Sequence, residues 1–68
     1  MTRAEQEVKS AAERLNSQVA DALAAVAARQ SPGGVDELEA SADRLERAAR
    51  DMAVALRELV AERSGDRD

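Results

Sequence analysis

Ser31-Pro32-Gly33-Gly34 divides this chain of 68 residues into two arms of nearly equal length. The residue before a proline is pushed out of the helical region, and two glycines accept positive φ at little cost, so the stretch reads as a turn. On its N-terminal side Val8, Ala12, Leu15, Val19, Ala22 and Val26 recur at steps of four and three. On its C-terminal side Leu38, Ala42, Leu45, Ala49, Met52, Leu56 and Leu59 do the same. That spacing places each set on one side of an α-helix. The chain is therefore expected to be all-α: a helical hairpin, helix 2–30, turn 31–35, helix 36–63 and a flexible tail 64–68.

Local signals agree with these limits. Thr2-Arg3-Ala4-Glu5 has the form of a capping box, in which the Thr hydroxyl takes a backbone amide of the first turn and Glu5 reaches back to the cap amide. Asp36 is expected to cap the second helix, with Glu39 as its box partner and Val35 as a staple. Arg63-Ser64-Gly65 is expected to end it. A connection of about five residues makes the helices antiparallel neighbours.

Heptad lettering resolves the two stripes. Ala12, Val19 and Val26 fall at a and Val8, Leu15 and Ala22 at d in the first arm. Val35, Ala42, Ala49 and Leu56 fall at a and Leu38, Leu45, Met52 and Leu59 at d in the second. The adjoining g positions are small too: Ala4, Ala11 and Ala25 on one arm, Ser41, Ala48 and Ala55 on the other. Small residues here widen the stripe and let backbones approach. One hairpin cannot cover stripes this wide. Two hairpins can, so the expected assembly is a homodimeric antiparallel four-helix bundle held by the a and d seam.

Composition points the same way. A 68-residue core rarely supplies more than about 3–5 kcal/mol without reinforcement. The chain has no Cys for a disulfide, no Cys or His for an ordinary zinc site, and no Phe, Tyr or Trp for bulk. Ala occupies 16 positions, a long-helix composition. Oligomerisation is the reinforcement that remains.

Catalysis and cofactors are not expected. A bundle di-metal site wants inward carboxylates and a Glu-x-x-His pair, and none of the serines has a His base. Glu5/Lys9, Asp43/Arg47 and Glu46/Arg50 have the i,i+4 spacing of a solvated face. A net charge of −4 argues against a nucleic-acid partner and leaves another protein as the expected one, beside the chain itself. No apolar run approaches the ~20 residues of a membrane span, and Met1 to Glu5 has no apolar signal core, so a cytoplasmic location is expected.

Three resemblances to known proteins imply alternatives. Seam register, length, turn and a Met-Thr-basic-x-Glu start resemble Rop, the plasmid repressor-of-primer hairpins that dimerise into a four-helix bundle and bind paired RNA loops. The likeness implies an RNA face at Arg3, Ser10, Arg14 and Gln18; Arg14 stands where that family has an aromatic residue, and Ala25 where it has a basic one. Ser31-Pro32-Gly33 and the Ala/Arg/Leu texture of the second arm are similar to the WXG100 hairpins carried by type VII secretion, which implies a secretion partner. Glu37, Ser41 and Arg44, at i, i+4 and i+7, resemble part of the pattern by which certain helical anti-sigma factors read cyclic di-GMP. That likeness implies a nucleotide face on the second helix.

Overall fold

The computed structural model describes residues 1–27 and 34–65, which form two α-helices packed against each other as a hairpin: α1, Arg3–Ala27, and α2, Gly34–Gly65. The expected helical residues 28–30, the turn residues 31–33 and the tail residues 66–68 lie outside the described residues. Among the described residues every element is helical.

The start of α1 is set by the capping box. The Glu5 amide donates to Thr2 Oγ1 at 3.2 Å, the Thr2 amide donates to Glu5 Oε1 at 2.8 Å, and the Gln6 amide donates to the Thr2 carbonyl at 2.9 Å. Donors that an α-helix otherwise leaves unmet at its N-terminus are thereby satisfied.

At α2 the helix begins two residues before the expected cap. Gly34 is its first residue, with φ +44°, a conformation that costs a glycine little and other residues more. Asp36 and Glu37 thus lie inside the first turn, where their charge opposes the positive end of the helix dipole. At the other end α2 runs to Gly65. Arg63 there ties the last turns to α1 through Glu5.

The helices run antiparallel, since Glu5 meets Arg63 near the termini while Gln18 and Arg47 line one groove at mid-length. The deepest burial follows the g column: Ala4 and Ala11 on α1, Ser41, Ala48 and Ala55 on α2, all at most 8% exposed. Each step along this column is seven residues, so it tracks one side of both helices. The smallest side chains mark the closest approach because nothing larger fits between the backbones there.

The expected a and d seam splits around this line. Val8, Leu15, Ala22, Leu45, Met52 and Leu59, at d, are half-buried beside it, and Leu38 is 43% exposed. At a, only Ala12 is half-buried, whereas Val19, Val26, Val35, Ala42, Ala49 and Leu56 are exposed. No large side chain among the described residues is fully buried. The hairpin's own contact line is therefore one heptad column over from the a and d stripe.

Candidate interaction surfaces

Because g faces g across an antiparallel pair, the d and a columns of both helices turn to one side of the hairpin, and the c and f columns to the other. The two broad faces differ in chemistry.

The a and d side is apolar. Seven of its residues are exposed beyond two-fifths of their surface: Val19, Leu23, Val26, Val35, Leu38, Leu56 and Val60. Lys9, Asn16, Glu39 and Glu46 stand at e positions along its margins. An exposed apolar surface of this extent, rimmed by polar residues, is the usual mark of a contact surface.

The c and f side is polar and its charge is segregated. At mid-length Arg14, Ser17 and Gln18 of α1 face Arg44, Arg47 and Asp51 of α2 across a groove. Nearer the termini the groove is lined by Glu7, Ser10, Asp51, Val54 and Glu58, with Arg14 at the junction of the two stretches, and beyond that by Arg3, Glu7, Glu58 and Glu62. Outside the central groove Arg3, Arg50 and Arg63 pair with Glu7, Glu46 and Glu5 at 3.5, 3.6 and 3.5 Å. Among the described residues Arg14, Arg44 and Arg47 form no such ion pair. Arg44 is instead held by its Nη2, which donates to Ser41 Oγ at 3.2 Å.

The residues of the expected RNA face fall on this side. Ser10, Arg14 and Gln18 share the groove, while Arg3 stands at its terminal end, paired with Glu7. Gln18 Oε1 is shielded from solvent and has no hydrogen-bond partner among the described residues. Of the nucleotide set, Glu37 is exposed in the first turn of α2, but Ser41 is buried in the helix seam and its hydroxyl already accepts from Arg44. Those three residues do not present one open surface. Sequence spacing could not reveal this, because it does not say which side of α2 meets α1.

Nor does spacing reveal the place of Arg47, for the same reason. It appears in sequence as half of an i,i+4 pair with Asp43, yet in the fold it lines the groove with Arg14 of the other helix and makes no ion pair with Asp43 among the described residues. Only the g-on-g packing brings these two arginines to one groove.

One titrating group has a built environment. The Thr2 amide, and then its hydroxyl, hold the Glu5 carboxyl below the ordinary carboxylate value, and Arg63 and the N-terminal ammonium add to the effect. No group of three or more Asp, Glu, His or Cys among the described residues is placed to hold a metal ion. None of the described helices is long and apolar enough to cross a membrane. Comparison of the chain with protein-family models, with curated proteins and with solved structures gives no match.

Proposed function

We propose that this protein is a non-enzymatic interaction module, a homodimeric helical bundle in which two hairpins cover each other's apolar faces and the outer charged faces dock on a protein partner. The observation that carries this reading is the apolar face, on which seven Val and Leu side chains remain 41–69% exposed. Fully burying such a side chain is worth about 1.5–3 kcal/mol, so each half-exposed one offers about 1 kcal/mol to a partner. Summed over the face, that rivals the whole stability expected of so small a core.

A second copy is the natural cover because the alternative pairing is repulsive. If two copies met about a two-fold axis through the middle of the polar face, Arg14, Arg44 and Arg47 would confront their own counterparts. Like charges in such an interface cost several kcal/mol. The middle of the apolar face instead presents Ala12, Val19, Ala42, Leu45 and Ala49, which are neutral and mostly small. This pairing leaves the segregated charges of the polar faces outward on both sides of the bundle.

Sedimentation equilibrium and thermal melts over a hundredfold dilution test the assembly. A dimer whose melting temperature falls on dilution is expected. A monomer at high micromolar concentration, with an unchanged melt, overturns it.

A further inference from the structure

We propose that the groove between Arg14 of α1 and Arg44 and Arg47 of α2 is the docking site for an acidic helical segment of a partner protein. This rests on the interaction-module reading and gives the partner its chemistry. The chain is acidic overall, at −4, yet at this groove three guanidinium groups face one carboxylate, Asp51. Three other arginines of the described surface, Arg3, Arg50 and Arg63, are tied to carboxylates within 4 Å. Lys9 and Arg57 also lack an ion pair among the described residues, but they line none of the grooves on the polar face. The three groove arginines are thus a concentration of positive charge drawn from both helices.

Their geometry is partly fixed in advance. Arg44 is anchored to the buried Ser41 hydroxyl at 3.2 Å, so part of the entropy cost of ordering its side chain is already met. A guanidinium presents a planar fork matched to the two oxygens of a carboxylate.

The charge pattern along the groove selects a protein segment over a nucleic acid. Seven residues from Arg14 toward the termini stands Glu7, and opposite it Glu58; seven residues of helix are about 10 Å. A phosphate backbone, charged at every nucleotide, would run from the arginines onto these carboxylates within that distance. An α-helix can change sign instead. Asp or Glu at i and i+4, followed by Lys or Arg about seven residues on, would set acid against Arg14, Arg44 and Arg47 and base against Glu7 and Glu58.

The test uses the full chain and a fluorescein-labelled Ala-rich helical peptide carrying two Glu four residues apart and a Lys seven residues beyond each. Controls are the same peptide with Gln for Glu, and a labelled stem-loop RNA. Fluorescence anisotropy at about 0.05 M salt should show saturable binding of the Glu peptide, about tenfold tighter than the Gln peptide. Binding should weaken about tenfold in Arg44→Glu/Arg47→Glu and in the milder Arg14→Gln, each with an unchanged melt. Equal binding of the two peptides, or indifference to both variants, overturns the proposal. So does tighter binding of the RNA that the same variants abolish, which would make the groove a nucleic-acid site. Sedimentation of the same samples keeps the two ideas apart: a dimer that ignores the peptide defeats the groove alone, and a monomer defeats the bundle.

Discussion

Arg63 reaches across the open end of the hairpin to Glu5, its Nη2 3.5 Å from Glu5 Oε2, while the other oxygen of the same carboxylate accepts from the Thr2 amide. One carboxylate thus closes the first turn of α1 and joins it to the last turns of α2, 58 residues later. The pair is solvent-exposed, so its own contribution is small. The pair marks which turn of α2 lies beside the start of α1.

Thr2→Ala should destabilise the protein by about 1 kcal/mol, the usual cost of losing an N-cap. Arg63→Ala should cost under about 1 kcal/mol. The pH dependence follows from Glu5. Its carboxyl titrates below the ordinary 4.5 when folded, so its stabilising effect is complete above about pH 4.5 and fades as the pH falls through the folded value. Melts of the parent and Glu5→Gln should therefore differ most near neutrality and converge in acid. A difference that grows on acidification would show that the cap charge is not what stabilises this end.

Ala11 is 1% exposed and lies where the helices come closest. Ala11→Leu should force them apart and cost about 1–3 kcal/mol. Ala24→Leu, an exposed position on the same helix, should stay within about 0.5 kcal/mol of the parent. Circular-dichroism melts of the two variants check the g-on-g packing, and equal effects would refute it.

Leu56 is 43% exposed on the apolar face. On a lone hairpin Leu56→Lys should change stability by no more than about 0.5 kcal/mol, as exposed substitutions do. Across a bundle seam it would bury a charge, and the expected outcome is a monomeric species with a lower melting temperature. Sedimentation of this variant beside the parent separates the two cases.

Gln18 holds a shielded acceptor that nothing satisfies among the described residues. Gln18→Met keeps the length and removes the unmet polar atom, so stability should rise by about 1 kcal/mol. A loss of that size in chemical denaturation would mean that the amide is satisfied in solution by a group the static fold does not supply.

Much of this architecture is legible from residue spacing alone. The recurrence of Val8, Ala12, Leu15 and Val19, and of Leu38, Ala42, Leu45 and Ala49, specifies helices because only a period near 3.6 puts those side chains on one side. The Thr2/Glu5 cap is legible because it is local, with donor and acceptor three residues apart. By contrast, Asp36 does not mark the start of α2, because Gly34 can take up the positive φ that carries the chain into the helix two residues sooner. What the sequence could not decide is which column of each helix meets the other. The a, d and g columns are mostly apolar or small, and hydrophobic burial is non-directional, so periodicity allows several rotations of each helix about its axis. The three-dimensional packing selected the rotation that sets Ala4 and Ala11 near Ser41, Ala48 and Ala55, where the smallest side chains permit the closest backbone approach. That choice turns Val19, Val26 and Leu56 outward on one side and gathers Arg14, Arg44 and Arg47 on the other.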